Sequence, residues 1–167
     1  VAAKGAGRRA MRLEYFQLID RVTDLNLADR TIRTENTVPQ ASTVFEGHFP
    51  GYPLMPGVLL IETMAQTSGW LVVALNKFER MPFLAAVKDA KFRTFVVPGM
   101  VLAVEAKLEH DGSGYAVTNA KITSAGKQIC DATITLRVMP FPNDEIRQHM
   151  RDQAGRLGVP SEESAHG

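Results

Sequence analysis

At 167 residues the chain has the length of one domain with a modest core. Hydrophobic residues make up 45% and charged residues 22%, as in an ordinary soluble globular protein, and a formal net charge of +1 excludes a global electrostatic pull toward nucleic acid. The single cysteine, Cys130, excludes an intramolecular disulfide and a multi-cysteine zinc site.

Residues 1–10, VAAKGAGRRA, are small and basic and read as a flexible extension or an expression remnant, with Met11 as a natural start. EYFQLID, after Leu13, suggests a short helix. Strands are expected over Arg21–Leu27 and Thr31–Val38, joined at Ala28-Asp29-Arg30. A stiff loop follows. Prolines 50, 53 and 56 recur every third residue, each fixing its own φ and extending the residue before it. Such a segment can hold a side chain in place, and it carries His48.

Gly57 opens a helix expected over Pro56–Lys77, apolar almost all round and therefore buried or membrane-spanning. Glu62 and Gln66 stack on one face at i, i+4, and Gly69 continues that face without a side chain. A carboxylate in mid-stretch argues for burial in a domain and against a bilayer span. Burial would raise the Glu62 pKa and let it carry a proton near neutral pH. The alternative is a structural glutamate hydrogen-bonded to a neighbouring loop.

Four strands are expected beyond the helix, near Phe83–Thr94, Val101–His110, Gly114–Ser124 and Lys127–Val138, with hairpin signals at Asp111-Gly112 and Ala125-Gly126. Cys130 falls on an alternating apolar face and reads as a buried, inert thiol. Pro140 and Pro142 end the last strand. Asn143 caps a polar helix to about Leu157, and PSEESAHG frays; no chemistry is assigned to this tail. The elements describe an α+β fold, an antiparallel sheet of about six strands round one long helix. With no apolar leader-like stretch near the N-terminus, the cytoplasm is the expected location.

The segment HFPGYPLMPGVLLIETMAQ resembles the active-site segment of the FabZ-type 3-hydroxyacyl-[acyl-carrier-protein] dehydratases, HFPG-x-P-x-x-PGVL-x-x-E-x-MAQ. Lys91-Phe92-Arg93 with Val96-Val97-Pro98-Gly99 resembles a second family segment, KFR…V-x-PGD, although Met100 stands where the aspartate is usual. The resemblance runs from about Leu13 to Val138. It implies a hotdog domain over 11–140, with a polar helix and tail over 141–167. It also implies dehydration of (3R)-3-hydroxyacyl-[acyl carrier protein] in fatty acid biosynthesis, without metal or redox cofactor. A link to the branch handling very-long-chain acyl groups for lipid A is a further expectation.

In that chemistry His48 suits the base, since its ordinary pKa lies near about 6.5. Glu62 suits the acid. The backbone N–H groups of Gly57 and Val58, at the positive end of the helix, suit the enolate-like oxygen. Gln66 would orient Glu62 or contact substrate, and Phe49 would help position substrate. Phe83 falls near a position where the family often carries a tyrosine that gates the acyl tunnel. The resemblance implies a homodimer with each site shared between protomers, a trimer of dimers being left open. It supplies an acidic partner, the acyl carrier protein, for Lys88, Lys91 and Arg93, which otherwise read as a solvated surface. FabA-type dehydratase-isomerases carry aspartate at the place of Glu62, which favours plain dehydration here. A hotdog acyl thioesterase and a catalytically silent acyl-binding subunit are the alternatives. Neither a nucleic-acid-binding nor a membrane-binding module finds support in the charge pattern.

Overall fold

The computed structural model describes residues 11–160. A single 3-10 turn, Leu13–Tyr15, precedes strands β1 (Arg21–Asn26) and β2 (Thr31–Thr37). Helix α1 (Thr43–Gly47) and the long helix α2 (Gly57–Leu75) come next. Strands β3 (Arg80–Phe92), β4 (Val101–Gly112), β5 (Tyr115–Ser124) and β6 (Lys127–Pro140) follow, and helix α3 (Asp144–Leu157) ends the described chain. The six strands form one sheet in the order β1-β2-β4-β5-β6-β3, every neighbouring pair antiparallel.

The sheet packs on α2, the hotdog arrangement expected from the sequence. Strand alternation sends Leu102, Val104, Ala106 and Leu108 of β4 inward, and all four are buried. From α2, Leu60, Met64, Leu71 and Val73 meet them in one core. By length and composition α2 could cross a bilayer, but here it touches β2, β3, β4, β5 and β6 and serves as the core helix.

Its hydrophobicity conceals a polar seam that sequence reading passed over. Thr67 Oγ1 lies 3.0 Å from Thr34 Oγ1 on β2, and Ser68 Oγ lies 2.7 Å from Thr118 Oγ1 on β5. All four residues are buried, and the pairing satisfies hydroxyls that burial removes from water. These two bonds tie α2 to the strands on either side of β4 and hold its rotation, and with it the direction in which Glu62 faces.

Boundaries differ from expectation where proline misleads. β3 starts at Arg80, three residues before the expected Phe83, and Pro82 pairs with Val138 inside it. Proline is tolerated because β3 is an edge strand, bonded only to β6. Helix α1 occupies the start of the segment expected to be loop. Ser42 caps it by accepting a bond from the Val44 N–H at 3.1 Å, and His48 is its C-cap. The cap expected at Asn143 is present: its side chain accepts from the Ile146 N–H at 2.8 Å. Sequence expectations for residues 1–10 and 161–167, His166 among them, lie outside the described residues.

One buried group carries a pH dependence. Asp20, just before β1, accepts from the Thr37 N–H through Oδ2 at 2.6 Å, while its Oδ1 is buried without a partner. Desolvation pushes its pKa up from 3.8 to about 6; the Thr37 bond opposes this and the nearby Glu35 charge adds to it. A raised folded-state pKa favours the folded state while the group is protonated. The stabilisation Asp20 contributes is therefore full below about pH 4 and lost as pH rises through about 6. Urea unfolding of the wild type and Asp20→Asn across this window should show a stability difference that moves in the variant's favour as pH rises. A difference flat with pH would refute the shift.

Candidate active site

The residues singled out by sequence fall into two groups. The first is the proline loop. The His48 N–H closes α1 by bonding the Val44 carbonyl at 3.1 Å, and its own carbonyl accepts from Leu54 at 2.9 Å. A tight turn links Phe49 and Tyr52, whose N–H groups bond each other's carbonyls at 2.9 and 2.8 Å. The ring of His48 is held in the same frame. Its Nδ1 lies 3.0 Å from the Leu54 carbonyl oxygen, and the ring stacks with that of Phe49, centroids 4.1 Å apart. A carbonyl only accepts, so Nδ1 carries a proton, and in the neutral tautomer of the ring Nε2 is the nitrogen with the lone pair. The loop thus presents Nε2, the ring nitrogen free of that tether, from a half-buried position.

The second group lies on α2. Gln66 Nε2 donates to Glu62 Oε1 at 3.0 Å and to the Phe16 carbonyl at 2.8 Å. One amide therefore ties the carboxylate to the turn before β1. Glu62 is half-buried in the chain, less enclosed than its apolar neighbours suggested. It lines a cavity of about 350 Å³ together with Gln66, Gly69, Trp70, Leu84 and Leu136, a size suited to a small-molecule or acyl ligand. Gly69 keeps that wall open, Pro82 being the nearest atom a side chain there would meet, at 3.5 Å.

Gly57 and Val58 begin α2, and helix geometry leaves their N–H groups without intrahelical acceptors. A Cβ on Gly57 would stand 3.2 Å from the Phe92 ring, so the backbone comes close to the end of β3.

Not every expected residue joins these groups. His48 is absent from the walls of the Glu62 cavity, so the chain does not bring base and acid into one pocket. Phe83 is 40% exposed and stays outside it, while its neighbours Pro82 and Leu84 line it. Lys88 and Lys91 are exposed at an irregularity of β3, and Arg93 is ion-paired with Asp131 at 2.5 Å. Conversely α3, to which sequence reading gave no chemistry, supplies His149, Met150, Gln153, Arg156 and Leu157 to the cavity.

A larger groove of about 690 Å³ lies elsewhere, lined by polar residues of the sheet. Within it Glu105 pairs with Arg33 and Lys121, and Asp131 pairs with Arg93 beside it; it contains neither His48 nor Glu62. Among the described residues no three His, Cys, Asp or Glu side chains cluster as metal ligands do. Cys130 is buried, and burial pushes its thiol up to about 12, so it holds its proton.

The FabA-like domain family matches residues 11–133. The 3-hydroxyacyl-[acyl-carrier-protein] dehydratase FabZ of Clostridium acetobutylicum is 37% identical over 123 residues, 73% of this chain and 86% of that protein. The FabZ of Latilactobacillus sakei is 40% identical over 119 residues, 71% of this chain and 84% of its own. Among solved structures, a hypothetical thioesterase with coenzyme A from Streptococcus pneumoniae superimposes with a TM-score of 0.58 at 18% identity. It covers 74% of this chain and 88% of its own, a likeness of fold alone. Family match and identity over most of the chain agree: the chain belongs to the FabA-like domain family, on the side of the FabZ dehydratases.

Proposed function

We infer that this protein dehydrates 3-hydroxyacyl-[acyl carrier protein] to the trans-2-enoyl thioester, with His48 as base and Glu62 as acid. The observation that carries the reading is the pair of tethers on those two side chains. The Leu54 carbonyl holds His48 Nδ1–H, which leaves Nε2 to take the proton α to the thioester. Gln66 holds Glu62 Oε1, which leaves Oε2 to carry the proton given to the departing hydroxyl. Water leaves, the double bond forms, and the enolate-like oxygen in between is steadied by the N–H groups of Gly57 and Val58. Both tethers sit within the segment resembling the dehydratase motif, and the curated relatives are dehydratases.

The separation of His48 from the Glu62 cavity fits a site shared between two copies of the chain. β3 offers the means. It is 13 residues long, is hydrogen-bonded among the described residues on one edge only, and leaves Phe83 and Leu84 exposed at 40% and 45%. An open apolar edge of this kind is a template for pairing with another strand. Edge-to-edge pairing of two β3 strands would set the loop of one protomer against α2 of its partner. The exposed amines of Lys88 and Lys91 then remain for an acidic carrier protein.

The test is hydration of a trans-2-enoyl-[acyl carrier protein], the reverse reaction, followed by mass spectrometry. Gain of one water on the acyl group is the expected result. Release of free acid would replace the reading with thioesterase activity. An unchanged acyl group on a carrier that stays bound would replace it with a silent binding subunit.

A further inference from the structure

The geometry points to α3 as the wall that limits the length of acyl chain the Glu62 cavity admits, with Met150 as the deciding residue. The family match covers residues 11–133, and α3 lies beyond it. It is nevertheless a built part of the fold. Asn143 caps its start, and Gly158, at φ 85°, ends it with its N–H on the Ala154 carbonyl. Ala154, Leu157 and Val159 are buried and join the common core.

Anchored this way, α3 turns a single face to the cavity. Residues 149, 150, 153, 156 and 157 recur at i, i+1, i+4, i+7 and i+8, the spacing of one helical stripe. Of its apolar members, Leu157 is consumed in anchoring the helix. Met150 is only partly buried, packs on the core and lines the cavity. Its unbranched thioether is adaptable and makes a wall that can be moved in or out without unmooring α3. The cavity and its α3 wall stand on geometry; that its occupant is an acyl chain rests on the dehydratase reading.

The test compares wild type, Met150→Trp and Met150→Ala in the hydration of crotonyl and trans-2-hexadecenoyl N-acetylcysteamine thioesters. Filling the wall with Trp should lower the long-to-short ratio of kcat/KM by about tenfold or more, and opening it with Ala should raise that ratio. A ratio unchanged in both folded variants overturns the proposal. Binding of cis-parinaric acid, read by its fluorescence, separates this proposal from the reading beneath it. If the wild type hydrates neither these thioesters nor a trans-2-enoyl-[acyl carrier protein], the dehydratase reading fails, yet a tenfold weaker grip on the probe in Met150→Trp would still place α3 at an acyl site. Equal probe binding in wild type and variant would remove it. Should Met150→Trp fail to fold, Gln153→Trp, one turn further along the same stripe, is expected to act in its place, and equal ratios there overturn the proposal.

Discussion

Glu62→Gln should lower turnover by roughly 10²–10⁴-fold, the range a positioned general acid contributes, while leaving fold and substrate affinity in place. The substitution is nearly isosteric. The new amide keeps a carbonyl oxygen that can accept the bond now made by Gln66 Nε2, so the link from α2 through Gln66 to the Phe16 carbonyl survives. What is lost is the proton that must go to the leaving hydroxyl, since an amide does not supply it. His48→Ala should fall as far, but it also cuts the tether to the Leu54 carbonyl and frees the Phe49 ring. His48→Asn is the cleaner variant, because its amide can still donate to that carbonyl and yet offers no base. Steady-state hydration kinetics with circular dichroism would check all three. Activity within tenfold of wild type in a folded Glu62→Gln would end the acid assignment, and the same in His48→Asn would end the base assignment.

The fold was legible because two periodicities alternate cleanly along the chain. In β4 the buried Leu102, Val104, Ala106 and Leu108 fall on every second residue, and the Asp111-Gly112 and Ala125-Gly126 signals lie at the hairpins joining β4, β5 and β6. Pro56 and Gly57 marked the start of α2 to within a residue. Pro82 hid the true start of β3, because a proline in a strand is permitted only at an edge and edge position is a property of the whole sheet. Helix α1 is five residues long, too short for a periodic signal, although Ser42 stood at its cap.

The site was legible by residue type and less so by arrangement. Glu62 and Gln66 meet because i, i+4 spacing is a local property of a helix. The partner of His48 Nδ1 is a backbone carbonyl six residues on, which no side-chain pattern encodes. Thr67 and Ser68 carry no local signal, and their partners Thr34 and Thr118 lie 33 and 50 residues away in sequence. The α3 stripe was available from the spacing of Met150, Gln153 and Leu157. What the sequence lacked was the direction in which that stripe turns, which is decided by the burial of Ala154, Leu157 and Val159.

Two inactive variants should restore activity to each other. If each site takes His48 from one protomer and Glu62 from its partner, a mixed dimer of His48→Asn and Glu62→Gln chains holds one site with both groups intact and one with neither. Co-expression in equal amounts makes half of the dimers mixed, and half of their sites are whole. The mixture should recover roughly a quarter of wild-type activity, although either variant alone is inactive. A site built within one chain gives the opposite result, for every chain in the mixture then lacks one of the two groups and no pairing repairs it. The gap between a quarter and nothing is far larger than the error of a rate measurement. It also bears on the open edge of β3: restored activity requires two copies to meet closely enough to share a substrate, and the exposed Phe83 and Leu84 along that edge are the surface through which they would do so.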